Sequence, residues 1–132
     1  MFITTKGRNA LKIMVDLARR EGEGFISLAD VAERQKESLK YLEASAKTLS
    51  AAGLIVSARG KSGGYKLAKK AEEYTAAEIL QAGEGTLAPV SCLSGSTPCE
   101  NACTCQTLPL FKELDEVIMN FLNSKTLADL VK

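Results

Sequence analysis

Residues 27–53 are SLADVAERQKESLKYLEASAKTLSAAG, and this stretch has the pattern of two helices joined by a short turn. It begins with a capping-box pattern, Ser27-Leu-Ala-Asp30, in which the serine hydroxyl is expected to accept a hydrogen bond from a first-turn amide. A short helix follows, and Ser38 is expected to cap a longer helix that ends before Gly53. The stretch therefore predicts a helix-turn-helix.

The longer of these helices divides into two faces. An apolar stripe is expected to pack inward and consists of Leu39, Leu42, Ala46 and Leu49. A second stripe places lysines around a small residue and consists of Lys36, Lys40, Ala44 and Lys47. Lysines suit phosphates, a small residue lets a helix enter a major groove, and Glu43 at the edge can accept from a cytosine amino group. Taken alone, this face fits an ordinary solvated helix slightly better than a DNA-reading one.

A hairpin with a basic tip follows the helix-turn-helix. Residues 54–58 and 65–67 have strand-like composition and flank the turn RGKSGG at 59–64. The glycines of this turn can adopt positive φ values and let the backbone approach phosphates. Arg59 and Lys61 make the tip positive, and Arg59 is expected to enter a minor groove. A hairpin in this place is a wing, which favours DNA binding over the solvated-helix interpretation.

Charge is divided unevenly along the chain, although the 132 residues carry a net charge of only +1. Residues 1–70 contain 14 Lys/Arg and 7 Asp/Glu, whereas residues 71–132 contain 3 and 9. A basic first half is expected of a nucleic-acid-binding surface, and an acidic second half would be repelled by phosphate. We therefore assign residues 1–70 to DNA binding and residues 71–132 to a cysteine-loop sensor and dimerisation region, within one compact domain.

The second half is predicted to contain a long helix that the domain alone does not cover. Thr75 caps a short helix at 76–82, and a loop at about 86–107 precedes a helix at 109–123. The apolar residues of the long helix are Leu110, Phe111, Leu114, Val117, Ile118, Phe121 and Leu122. Pairing of two such helices about a two-fold axis would form a homodimer with reading helices about 34 Å apart. Packing within the chain, against a first helix at 5–20, is the alternative.

Four cysteines lie within fourteen residues of the predicted loop, and the chain has neither other cysteines nor any histidine. They are Cys92, Cys99, Cys103 and Cys105. Thiolates bind iron–sulfur clusters or zinc, but the absence of a C-x2-C pair argues against a common zinc ribbon. A redox thiol switch and a disulfide staple are the other interpretations. Because the chain has no leader-like start and no membrane-length apolar run, a cytoplasmic protein with reduced thiols is expected, which disfavours the staple.

Several short motifs, taken in their order and spacing, resemble the Rrf-two family of bacterial winged-helix regulators, and most closely its iron–sulfur cluster regulators. They cover essentially the whole chain: Thr5-Lys-Gly-Arg8, Ser27 to Gln35, Tyr41-Leu-Glu43, Ala52-Gly-Leu54, Arg59-Gly60, Gly63-Gly-Tyr65 and Thr126 to Val131. The resemblance implies a homodimer that binds a double-stranded DNA operator through the third helix and the wing. The DNA-contacting residues would be Ser38, Lys40, Tyr41, Glu43, Ala44, Lys47, Arg59, Gly60 and Lys61.

The resemblance also implies a cluster in the cysteine loop that controls operator choice or affinity. The family's three-cysteine pattern maps onto Cys92, Cys99 and Cys105, with a 2Fe–2S cluster expected in preference to 4Fe–4S. The family's cluster regulators have a histidine three residues after the third cysteine, where this chain has Leu108. Some relatives use a carboxylate near the start of the first helix, and the first helix here begins without one. The fourth ligand is therefore open between Cys103 and an exogenous group.

Together these observations predict a mostly α fold with a small β-hairpin, namely a winged helix-turn-helix plus a long C-terminal dimerisation helix. The predicted function is a transcription regulator, such as a repressor, that senses iron–sulfur status, iron, or redox or nitric oxide stress. The alternatives are a cluster-free thiol or zinc-dependent regulator, and a metal carrier or interaction module that does not bind DNA. An enzyme is not expected, since the G-x-S-x-G pattern at 60–64 has no histidine to act as its base.

Overall fold

The computed structural model of the chain describes residues 3–61, 63–90, 93 and 106–131. The helices and strands of these residues are α1 (Thr5–Arg19), α2 (Leu28–Gln35), α3 (Leu39–Ala51), β1 (Ile55–Ala58), β2 (Gly64–Leu67), α4 (Ala76–Glu84), α5 (Leu108–Asn123) and α6 (Leu127–Leu130). A short 3-10 turn, Ala71–Glu73, precedes α4. The predicted mostly helical fold with a small antiparallel hairpin is confirmed.

Helix α1 lies at the centre of the fold because its apolar positions recur at helical spacing on a wide face. Ala10, Ile13, Met14 and Leu17 are buried, and the core cluster around them contains residues of α2, α3, β1, α4 and α6. Thr4 caps the helix by accepting a hydrogen bond from the Lys6 amide at 3.3 Å. Elements from both halves of the sequence therefore share the core that α1 organises.

The helix-turn-helix forms as predicted, but its two serine caps do not. Lys36 adopts φ 55° at the end of α2 and turns the chain sharply into α3. Ser27 and Ser38 occupy the N-cap positions, yet neither side chain makes a capping hydrogen bond. Their carbonyls accept instead, that of Ser27 from the Asp30 amide and that of Ser38 from the Leu42 amide. The predicted use of the Ser27 hydroxyl was therefore wrong, because the backbone geometry alone starts each helix.

The apolar stripe of α3 packs inward with one exception. Leu42, Ala46 and Leu49 are fully buried, whereas Leu39 is 40% exposed. Leu39 is the first residue of the helix and lies next to the turn, at the end of the stripe where packing on the core stops. The prediction that Leu39 packs inward was wrong for this reason.

The wing is a two-stranded antiparallel hairpin whose base is extended by one neighbouring residue. Strands β1 and β2 pair from Ile55 opposite Leu67 to Ala58 opposite Gly64, within one residue of the predicted strands. Ile26, just before α2, exchanges two backbone hydrogen bonds with Tyr65 at 2.8 and 2.9 Å. A Cβ at Gly64 would lie 2.2 Å from the Ile26 carbonyl oxygen, so only glycine allows this approach. The wing is thereby joined to the start of α2.

Helices α4 and α5 differ from the prediction in length and in exposure. Thr75 caps α4 as expected, but the helix continues through Gly83 to Glu84, because Gly83 packs closely on α1, with Gly7 Cα 3.1 Å from where a Cβ would be. Helix α5 matches the predicted span within one residue, and Leu108 is its only buried residue. None of the helices in the described part of the chain is long and apolar enough to cross a membrane.

Candidate DNA-binding surface

The nine residues predicted to contact DNA are all exposed to solvent in the structure. Six belong to α3 or its N-cap and three to the wing tip, and they are Ser38, Lys40, Tyr41, Glu43, Ala44, Lys47, Arg59, Gly60 and Lys61. Tyr41 is 63% exposed although it is a large aromatic residue. An exposed helix face of this composition is suited to contact another macromolecule.

The four basic side chains of this surface are not neutralised within the described part of the chain. Lys40, Lys47, Arg59 and Lys61 form none of the ion pairs found there. The positive charges are therefore available to phosphate groups, which is the requirement for an electrostatic contact with DNA. The individual contacts of these residues with DNA are predictions.

The wing tip combines an unusual backbone with the two basic residues. Gly60 has φ +100°, a conformation that residues with a Cβ rarely adopt. Gly63 does not share this conformation, but a Cβ there would lie 2.3 Å from the Ala58 carbonyl oxygen. The Gly63 amide donates to the Gly60 carbonyl at 3.0 Å and closes the turn. Glycine is thus required at both positions, for two different reasons.

A buried ion pair fixes the helix-turn-helix on α1. The Asp16 carboxylate is 2% exposed and accepts from Arg34 Nε at 3.0 Å and Nη2 at 2.7 Å, with Gln35 Nε2 at 3.4 Å. Burial by itself raises the pKa of Asp16, but the hydrogen bond and charge of Arg34 outweigh it, so the pKa is lowered. A second pair joins Lys12 of α1 to Glu37 in the turn. These contacts set the angle at which α3 is presented.

The wing base is held by a tyrosine that sequence reasoning missed. The Tyr74 side chain is fully buried, and its hydroxyl donates to the Leu54 carbonyl at 2.6 Å. The same oxygen accepts from the amides of Ala68 and Lys69 at 2.9 and 3.1 Å. One hydroxyl therefore satisfies three backbone groups where the strands leave the core. A lone tyrosine in a polar stretch gave no local signal of this role.

A second missed residue is Glu84, which caps α1 from 80 positions away. Its carboxylate accepts from the Thr4 amide at 2.8 Å, the Thr4 hydroxyl at 2.7 Å and the Gly7 amide at 2.8 Å. Burial raises the pKa of Glu84, but these hydrogen bonds and the charge of Lys6 together lower it. Glu84 is the last residue of α4, so the segment that leads to the cysteines begins next to the N-terminus of α1.

The predicted cluster ligands Cys92, Cys99, Cys103 and Cys105 lie outside the described residues. No group of three or more potential ligands (His, Cys, Asp or Glu) that could hold a metal ion occurs in the described ranges. The described residues that flank the loop are anchored, since Leu87 is 2% exposed and Leu108 is 6% exposed. The chemistry of the donor set, four thiols without histidine, is that of an iron–sulfur or zinc site.

Comparison with known proteins identifies the family to which this fold and surface belong. Residues 3–132 match the Rrf2 family, which is described as an iron-dependent transcriptional regulator. The chain belongs to the Rrf2 family. The HTH-type transcriptional regulator IscR of Serratia proteamaculans (strain 568) is 40% identical over 131 residues, which cover 99% of this chain and 79% of that protein.

Solved structures of two kinds of Rrf2 regulator are similar to this one. The structure of CymR (YrzC), the global cysteine regulator of B. subtilis, is 37% identical with a TM-score of 0.75, covering 99% of this chain and 96% of that one. The structure of T. potens IscR is 34% identical with a TM-score of 0.78, covering 99% and 86%. The chain is therefore an IscR-like, DNA-binding transcriptional regulator and not an enzyme.

Proposed function

We propose that this Rrf2 regulator binds its operator as a homodimer and that an iron–sulfur cluster in the cysteine loop controls its affinity for DNA. The observation that carries the DNA-binding part is the exposed basic surface of α3 and the wing, held in place by the Asp16–Arg34 pair. Lys40 and Lys47 would contact phosphates, Arg59 would enter a minor groove, and Glu43 would read a base.

Dimerisation is supported by the exposed apolar face of α5. Leu110, Leu114, Val117 and Phe121 are 62%, 42%, 64% and 59% exposed, and their spacing places them along one side of the helix. Water contact with so much apolar surface is unfavourable, at about 25 cal/mol per Å². A two-fold pair of α5 helices would bury this face and set two reading helices apart on one operator.

The sensing part of the proposal rests on the donor set and on the family. Cys92, Cys99 and Cys105 would hold the cluster, with Cys103 or an exogenous group as fourth ligand. When bound, such a cluster supplies one-electron redox chemistry. The matching family is described as iron-dependent, and curated relatives that are about 40% identical to this chain are named IscR. The loop would act on DNA binding through the end of α4 that leads into it. Glu84 at that end is hydrogen-bonded to the start of α1, and α1 packs against α3.

DNA binding is tested by selecting operator sequences from random duplexes and then titrating the best site by fluorescence anisotropy. Arg59→Ala should weaken binding by about 1–3 kcal/mol because the wing loses its minor-groove contact. Glu43→Ala should broaden base preference more than it lowers affinity. Lys112→Ala, on α5, is the matched control and should bind like the unchanged protein. Equal affinity of the Arg59→Ala and control variants would remove the wing from the mechanism.

The cluster is tested on protein purified without oxygen, by visible absorption together with iron and sulfide assays. Charge-transfer bands with stoichiometric iron and sulfide are expected, and alanine at Cys92, Cys99 or Cys105 should abolish them. Cys103→Ala separates the two fourth-ligand hypotheses, since unchanged cluster content and stability would exclude Cys103. A colourless protein that stays iron-free after anaerobic reconstitution would contradict the cluster.

A cluster-free thiol switch is the second candidate, and one comparison favours it. Solved structures similar to this chain include the global cysteine regulator CymR of B. subtilis and an oxidized form of Staphylococcus aureus CymR. In this alternative, two thiols of the loop would be oxidised to a disulfide by an oxidant such as a peroxide, which is reduced to water. Iron-free protein whose operator affinity changes with dithiothreitol would support it.

A further inference from the structure

A cavity of about 610 Å³ lies between the first turn of α1, one flank of α3 and the last turn of α4. Its lining includes Lys6, Asn9, Tyr41, Ala44 and Ser45. This volume falls within the range of about 300–1,000 Å³ that is typical of small-molecule sites. No residue of the wing tip lines the cavity, whereas Tyr41 and Ala44 of its lining also belong to the predicted DNA-contacting residues.

Two buried polar side chains face this cavity without a hydrogen-bond partner. Asn9 is 2% exposed and Ser45 is 7% exposed, and neither side chain bonds to another residue in the described part of the chain. Among the described residues, every side-chain oxygen or nitrogen that is shut off from solvent has a hydrogen-bond partner. The polar atoms of Asn9 and Ser45 are therefore not shut off, and they face the cavity that these residues line. Groups arranged in this way are suited to a ligand.

The chemistry of the lining indicates what that ligand is. Lys6 supplies a positive charge, the Asn9 amide and the Ser45 hydroxyl can donate hydrogen bonds, and the described lining contains no Asp or Glu. The nearby Glu84 carboxylate is directed instead to Thr4 and Gly7. We propose that the cavity binds a small organic carboxylate. The carboxylate would lie at Lys6, Asn9 and Ser45, and its apolar body would lie against Ala44 and the Tyr41 ring.

Such a ligand would touch the helix that reads DNA. Tyr41, Ala44 and Ser45 belong to α3, and Tyr41 is at once a wall of the cavity and 63% exposed on the proposed DNA-binding face. A bound carboxylate would therefore restrict Tyr41 and shift operator affinity. This second step rests on the proposed function, whereas binding in the cavity does not.

The binding step is tested by titration calorimetry with acetate, 3-methylbutanoate and phenylacetate, with phenylacetamide as the uncharged counterpart of the last. Phenylacetate should bind with a Kd below about 1 mM and at least about tenfold more tightly than phenylacetamide, because only the carboxylate pairs with Lys6. Lys6→Gln should remove this difference, whereas Lys112→Gln should keep it. Lys6 is exposed, so its substitution leaves the fold intact. Failure of all three carboxylates at about 1 mM, or equal binding by the Lys6→Gln variant, would overturn the proposal.

Asn9→Leu, which has nearly the same shape, tests the buried amide. It should fold, because one unpartnered polar group is replaced by an apolar one, and it should lose phenylacetate binding. Retained binding with a normal melting temperature would exclude Asn9 from the site. If Asn9→Leu does not fold, Ser45→Ala serves the same purpose, with an expected loss of about fivefold to tenfold in affinity.

The coupling step is tested by repeating the operator titration at a saturating phenylacetate concentration. We expect phenylacetate to change operator affinity by about fivefold or more. Because coupling is reciprocal, the operator should change phenylacetate affinity by the same factor and in the same direction. Binding of phenylacetate without any change in operator affinity would overturn the coupling. Absence of operator binding in all conditions would instead contradict the proposed function, and the calorimetry would still decide whether the cavity is a carboxylate site.

Discussion

The carboxylate of Asp16 determines how firmly the helix-turn-helix is attached to α1. It accepts two hydrogen bonds from Arg34 inside the fold, and removing one partner of a buried pair typically costs about 3–5 kcal/mol. Because the Arg34 side chain is 32% exposed and can regain water, we expect Asp16→Asn to cost about 3 kcal/mol, the lower end of that range. Urea denaturation measures the loss. Asp30→Asn, at an exposed position of α2, is the control, and an equal effect at both sites would contradict this role.

Two carboxylates should make stability depend on acid pH. Asp16 and Glu84 have lowered pKa values in the folded protein, because hydrogen bonds and neighbouring cations outweigh the effect of burial. Their stabilisation is therefore complete above the unfolded pKa values of about 3.9 and 4.3, and is lost as pH falls through the lower folded values. Urea denaturation between about pH 3 and 7 should show this decline, and Glu84→Gln should show a shallower one. An identical pH profile for Glu84→Gln would exclude Glu84 as a source.

Glycine at position 7 is required by the Glu84 cap rather than by its own backbone. A Cβ there would lie 2.4 Å from Glu84 Oε1, so the carboxylate would have to give up bonds to Thr4 or Gly7. We expect Gly7→Ala to destabilise by about 1–2 kcal/mol, although alanine is normally the better helix former by about 1 kcal/mol. In a Glu84→Ala background the sign should reverse, and Gly7→Ala should stabilise. A loss in both backgrounds would show that another contact requires the glycine.

Helix α5 exposes large apolar side chains that a single chain leaves in contact with water. Of its residues only Leu108 is buried, while one side presents a row of large apolar groups to water. We expect Val117→Glu and Phe121→Glu to convert a dimer to a monomer, because paired helices would bury these carboxylates next to each other. Sedimentation velocity measures the change. Lys112→Glu introduces a carboxylate elsewhere on α5 and should remain a dimer. A dimer that survives both apolar-face substitutions would place the interface on another surface.

Sequence periodicity predicted these elements well, because each helix has one apolar face and the turns contain glycine and polar residues that favour turns. The wing and α5 lay within one residue of their predicted spans. The missing Ser27 cap has a local cause in the backbone, whereas the other failures depend on neighbours distant in sequence. Gly83 is inside α4 because α1 packs on it, and Leu39 is exposed because the core ends beside it. The bonds from Glu84 to Thr4 join residues 80 positions apart, which no local pattern indicates.

For the molecule as a whole, the division of charge along the sequence becomes a division of surfaces. The basic first half provides the exposed residues of α3 and the wing, whereas α5 combines its apolar side with two exposed acids, Glu113 and Glu116. Pairing through α5 would therefore place its acidic residues beside the dimer interface and leave the two basic surfaces free to bind DNA. The orientation of the protein on phosphate follows from this arrangement, since one surface attracts the duplex and the other repels it.

The salt dependence of operator binding should report how many protomers occupy one operator. Each lysine–phosphate contact contributes about −0.9 to the slope of log affinity against log salt concentration. Lys47→Ala removes one such contact per protomer, so we expect the slope to become less steep by about 1.8 for a dimer and by about 0.9 for a monomer. Anisotropy titrations at several salt concentrations measure the difference, and Lys112→Ala should leave the slope unchanged. If α5 is unchanged and the slope changes by only about 0.9, only one α3 helix contacts the operator. No change in the slope would exclude Lys47 as a phosphate contact.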